Sequence, residues 1–239
     1  MERGENSPSV EQSDGDIFRI GAAAAFIAAA VTLGEVIAQS ISPLPGTVVE
    51  WFALFQRNRL VGLLQFWGLE VVMYVMFVIV FLAFYSALKN VDRTRMRIAV
   101  TLALIGVAVF LATNNPFAML SLSDQHAAAA TEAQKSIFVA AGQALLANTN
   151  QRTVGGFNGG LFLVSIAGWI VSASMLRSKS FSRSTAYVGI AANVLSLLDY
   201  LRQALTSSEI IALLVILPNA VLLIIWYFSI YRQLSRLGR

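Results

Sequence analysis

The 239 residues are 57% hydrophobic and 13% charged, against about 25% charged in a typical soluble domain, which excludes a water-soluble enzyme plan. Cysteine is absent, which removes disulfides, iron–sulfur clusters, thiolate metal sites and cysteine nucleophiles together. The net charge of +4 falls in loops between apolar runs, so it reads as membrane anchoring rather than as a nucleic-acid surface.

Residues 1–16 are polar and acidic (Glu2, Glu5, Glu11, Asp14, Asp16) and bury too little apolar surface to order themselves; a disordered tail is expected. They lack the basic start of a cleaved signal peptide, so the first apolar run is read as a retained span. From there residues 17–239 form one domain with six apolar runs, at about 19–40, 62–88, 96–121, 154–176, 185–204 and 209–231. Roughly 20 apolar helical residues cross a bilayer's hydrocarbon core. The expected fold is therefore all-α, a polytopic membrane protein with six transmembrane helices.

Lys and Arg set the expected orientation. With both termini in the cytoplasm, twelve of the 17 basic residues lie inside, concentrated at 89–97 and 177–183. Five lie outside: Arg57, Arg59, Lys135, Arg152 and Arg202. Two longer connections then fall on the outer side. Residues 43–60 carry Val48, Val49, Trp51, Phe52, Leu54 and Phe55, which fits a short helix in the headgroup region or a re-entrant stretch. Residues 124–152 place Ile137, Phe138, Ala141 and Leu145 at helical spacing among polar residues. This predicts an amphipathic helix, resting on the outer surface or capping the bundle.

Between 155 and 201 the text gains a pattern. Gly159-Gly160-Leu161-Phe162-Leu163 opens a span, Gly168-Trp169 follows, and Leu176-Arg177-Ser178 ends it. Ser182-Arg183 then leads to Gly189 and to Leu198-Asp199-Tyr200-Leu201. This resembles the bacterial six-span membrane proteins grouped as domain of unknown function family 4386, with a departure at Ser182, where that family tends to have proline. The resemblance implies the fold and a bacterial plasma-membrane location. It implies no activity and carries over no catalytic residue.

Little chemistry is available. The one histidine, His126, falls in an outer connection, which excludes a bis-histidine haem and multi-histidine zinc. No cofactor, no metal and no nucleic-acid partner is expected; the bilayer itself is the expected partner. Gly155, Gly156, Gly159 and Gly160 repeat at four-residue spacing and are read as a helix-packing surface, since small-xxx-small pairs let membrane helices approach closely.

Ionisable residues inside the runs are Glu35, Glu70 and Asp199, with Arg202 near an end. Gln39, Gln65, Asn114, Asn115, Asn158, Asn193 and Asn219 accompany them. Nearly all fall in the outer half of their spans, and such residues usually face a bundle interior or a wet cavity. Glu35, Gln39, Glu70, Asn114, Asn115, Asn158, Asp199 and Arg202 are therefore the candidates for lining an outward-facing polar cavity. Acids outnumber bases there, which favours a small cation or cationic molecule, bound or passed. The alternative is a non-catalytic scaffold or accessory subunit whose polar groups only fix helix register. A third reading, an intramembrane hydrolase, would need His126 to fold back into the bundle. Pro116 after Asn114-Asn115, and Pro218 before Asn219, predict a kink or a hinge-like break in spans three and six.

Overall fold

The computed structural model describes residues 10–149, 158–205 and 209–239. Among them there is no strand, and the helices are α1 (Val10–Ile41), α2 (Val48–Arg57), α3 (Arg59–Leu63), α4 (Leu69–Leu88), α5 (Arg93–Thr113), α6 (Pro116–Ala128), α7 (Glu132–Ala147), α8 (Gly159–Met175), α9 (Arg183–Leu205) and α10 (Glu209–Leu237). A π-helical turn, Leu64–Gly68, joins α3 to α4. The expected disordered tail differs at its end, because α1 already begins at Val10.

Among the described residues four stretches are long and apolar enough to cross a membrane: Gly15–Ile41, Arg59–Leu88, Arg93–Ala128 and Ile211–Leu237. The protein is thus an all-α helical membrane protein. α8 is equally apolar but has only 17 residues. α9 is long enough but carries Arg183, Asp199, Arg202 and Gln203.

Six helices form a closed ring in chain order. α1 packs on α4, α4 on α5, α5 on α8, α8 on α9, α9 on α10, and α10 returns to α1. Side-chain size explains the order. α1 offers Ala22, Ala25 and Ala29 on one face and Ala24 and Ala28 beside it, all buried. Alanine costs no side-chain entropy in a helix and lets neighbours approach. α4 carries an aromatic stripe, Tyr74, Phe77, Phe81 and Phe84, spaced three and four residues apart. Gly21 seats Ala83 directly, a tight contact between α1 and α4.

At α5–α8 the backbones touch. A Cβ on Gly106 would lie 2.6 Å from the Gly160 carbonyl oxygen, and one on Gly160 would strike the Gly106 carbonyl and lie 2.8 Å from the Phe110 nitrogen. Of the four glycines expected to pack, Gly160 therefore packs, while a side chain on Gly159 would meet open space. Gly155 and Gly156 lie outside the described residues. The partner at the crossing is Gly106.

The remaining helices build a cap across one end of the ring. Trp51, Phe52 and Phe55 of α2 bury against Phe66, Met119 of α6 and Leu146 of α7. Thr47 caps α2, and Thr131 with Gln134 forms a capping box on α7. Gln56 donates to Ser123 Oγ (3.0 Å) and Asp124 Oδ1 (2.9 Å), and Ser123 donates to the Phe52 carbonyl (3.0 Å). α7 does turn one face inward, but about one residue from the expected register. Phe138, Val139, Gly142, Leu145 and Leu146 face the cap, while Ile137 and Ala141 are exposed. His126 of α6 packs its ring on Phe52, centroids 5.1 Å apart, within this cap.

The segment read as one span at 96–121 is two helices. α5 stops at Thr113, and Asn115 caps α6 by accepting from the Ala118 nitrogen (3.0 Å), with Pro116 at the first turn. Proline fits there because its missing N–H would be unbonded anyway. Pro218, by contrast, sits within a continuous α10.

Candidate functional site

A partly enclosed cavity of about 250 Å³ lies inside the ring, in the half nearer the cap. α1 contributes Thr32, Glu35 and Gln39, and α4 contributes Glu70. α9 adds Asn193, Ser196 and Tyr200, and α10 adds Asn219 and Tyr227. The spacing explains the walls. Thr32, Glu35, Gln39 and Asn193, Ser196, Tyr200 each step by three and then four residues, which keeps three side chains on one helix face.

Glu35 and Glu70 are half-buried, and Gln39 is exposed at the rim. Asn114, fully buried on α5, donates to Glu70 Oε2 at 3.1 Å and so holds that carboxylate from behind. Asn219 donates to Ser196 Oγ (2.9 Å), tying α10 to α9 across the cavity. The amide beside Pro218 thus reaches the neighbouring helix. Several hydroxyls and amides bond within their own helices: Thr32 to the Ala28 carbonyl (2.9 Å), Ser165 to Leu161 (2.9 Å), Asn193 to Gly189 (2.8 Å). Gly168 on α8 leaves the space that the Asn193 amide fills. The Asn219 Oδ1 is buried and accepts no hydrogen bond among the described residues.

The side of the cavity facing the chain termini is aromatic. Phe77 and Tyr227 line it and stack on each other, centroids 5.7 Å apart. Beyond them Phe84, Trp226 and Phe181 pack together, with Leu88, Met96, Met175 and Leu234 all buried.

The candidate residues therefore separate. Glu35, Gln39 and Glu70 line the cavity, and Asn114 stands one shell behind through Glu70. Asn115 caps α6 and is exposed. Asn158 caps α8, accepting from the Gly160 nitrogen (2.9 Å) and donating to Thr113 Oγ1 (2.9 Å). Asp199 is buried off the cavity wall, accepting from Arg202 Nε (2.8 Å) and Gln203 Nε2 (3.0 Å). Its charge is neutralised by a guanidinium three residues along the same helix. The side chains that residue-type reasoning passed over are hydroxyls, Thr32, Ser165, Ser196, Tyr200 and Tyr227.

In chemical terms the cavity offers two carboxylates, an amide oxygen and aromatic faces. Among the described residues no cluster of three or more His, Asp or Glu side chains is placed to hold a metal ion. Neither a curated protein nor a solved structure matches the chain. The sequence model of a family described as a domain of unknown function, DUF4386, matches residues 18–229, most of the chain. With its span-forming helices and the pattern from Gly159 to Leu201 inside that match, the chain belongs to the DUF4386 family.

Proposed function

We propose that the protein binds a small organic cation in the cavity between α1, α4, α9 and α10. The observation that carries this reading is that Glu35 and Glu70, from two neighbouring helices, line one cavity together. A volume of about 250 Å³ exceeds a bare ion, since one water occupies about 30 Å³ in the liquid. It suits a small ammonium compound, whose charge the carboxylates offset and whose body Phe77, Tyr200 and Tyr227 can face. The aromatic packing beyond Phe77 supports entry from one side and binding, rather than free passage.

In this reading all six ring helices cross a bacterial plasma membrane. The termini and the basic turns at 89–93 and 177–183 face the cytoplasm, and the cavity opens outward. The bias of Lys and Arg toward the terminal end supports it. With no native cysteine, Ser136→Cys should react with an impermeant thiol reagent in intact cells, and Ser184→Cys only after lysis. The reverse pattern would turn the cavity to the cytoplasm.

The test of binding is thermal unfolding in neutral detergent with sodium, potassium, magnesium or choline chloride at constant ionic strength. Choline should raise the midpoint above the other three, saturably. Glu35→Gln combined with Glu70→Gln should keep the helical circular dichroism and abolish the rise. Equal midpoints in all four salts would leave the scaffold reading, in which Thr32, Ser165 and Asn193 merely satisfy their own helices.

A further inference from the structure

A second cleft, about 570 Å³, opens at the opposite end of the ring. It lies between the α8–α9 turn, the start of α9 and the last turns of α10. Lys179 stands on the turn, and Arg232 and Arg236, four residues apart, share one face of α10. All three are exposed. None of them is ion-paired among the described residues. Two carboxylates at this end are engaged elsewhere: Asp92 with Arg95 (3.2 Å) and Arg177 (3.9 Å), Asp16 with Arg19 (3.8 Å). Among the described residues no Asp or Glu lines the cleft.

Three cations on one concave surface repel one another unless an anion sits among them. The groups around them are those that bind a phosphate ester. Guanidinium groups match phosphate oxygens with paired N–H donors, and Ser180 and Ser184 add hydroxyls. Ser182 and Gln233 brace the rim, with the Ser182 nitrogen donating to Gln233 Oε1 at 2.8 Å. One wall is apolar: Val188 of α9 and Ile225 of α10 run from the cleft toward the membrane-spanning part, and Ile225 is 46% exposed. A free phosphate would gain nothing from that wall. A lipid would lay its acyl chains along it.

We propose that this cleft holds the phosphate headgroup of an anionic phospholipid, with Arg232, Arg236 and Lys179 on the phosphate and the acyl chains against Val188 and Ile225. Basic pockets between membrane helices take acidic headgroups in this manner. The proposal stands apart from the cation cavity and uses none of its residues.

The test is thermal unfolding of the purified full chain in neutral detergent. Three additions are titrated: phosphatidylglycerol, phosphatidylcholine and inorganic phosphate. Phosphatidylglycerol should raise the midpoint saturably, and the other two should not. Arg232→Gln with Arg236→Gln should raise the half-saturating lipid concentration by about thirtyfold. Arg93→Gln with Arg97→Gln, an equal charge loss at the same end but outside the cleft, should leave it unchanged. Native mass spectrometry of the parent protein should count phosphatidylglycerol, not phosphatidylcholine, retained on the chain, whether or not the variants fold. An equal response to both lipids would overturn the proposal. So would full stabilisation by inorganic phosphate, or equal weakening by the two double variants.

Discussion

The two halves of the ring are built on different rules. Toward the termini, the alanines of α1 and the aromatic stripe of α4 are buried in one core, and Phe84, Phe181 and Trp226 pack together there. Toward the cap, the same helices change their inward residues to Thr32, Glu35, Glu70, Asn193 and Asn219 and leave about 250 Å³ unfilled. Lipid supplies no hydrophobic drive for one membrane helix to find another, so close packing has to hold the bundle. The dry half can supply that packing, which frees the other half to keep a hollow. Close packing and hollow are thereby separated along the length of the ring.

The sharpest way to break this comparison is Phe84→Ala. Its ring meets Phe81, Phe181 and Trp226 and is fully buried, so its loss should cost about 3–5 kcal/mol in chemical unfolding. A cost below 1 kcal/mol would mean that the dry half does not carry the stability. Next comes Gly160→Leu, level with the cavity. There the obstacle is the Gly106 carbonyl, which cannot move aside as a side chain could. We expect about 3 kcal/mol, at the upper end for overpacking, while Gly159→Leu, facing open space, should melt like the parent. Matching melting curves for the two would remove the α5–α8 crossing as a structural seam. The smallest effect belongs to Glu70→Gln. Its side-chain oxygen can still accept from Asn114, so stability should change by less than about 0.5 kcal/mol. A large loss here would show that the polar half is structural after all.

How far these features could be read from the chain depends on how local their causes are. The irregularity after Thr113 was legible only as a kink within one span; Asn-Asn-Pro is a stop and a start, a cap and a first-turn proline, and that local signal divides the run into two helices. The cavity carboxylates were legible because a charge in an apolar helix has few places to go. The wall of hydroxyls was not, since Thr32 and Ser196 can satisfy themselves on their own helix and so sit anywhere. Extending the three-and-four step from Glu35 to Thr32 and Gln39 would have found one wall. Gly106 was missed because a lone glycine in a span gives no sign of its partner, and Gly160 lies 54 positions away in the chain. The face of α7 slipped by one residue because Ile137 is apolar but exposed, and Gly142, without a side chain, was not counted as a contact though it seats Val48 and Phe52.

The ring closes where α10 meets α1, and Arg19 Nε donates to the Gly238 carbonyl at 2.7 Å across that seam. A chain is synthesised from its N-terminus, so the helix made first gains its second neighbour last. Until then one flank of α1 has only lipid beside it. Ala24, Ala28 and their neighbours are suited to that wait, because a methyl group is as comfortable against an acyl chain as in the protein core. The order of manufacture is thus compatible with the side chains at the seam, and every other pair in the ring can assemble as it emerges.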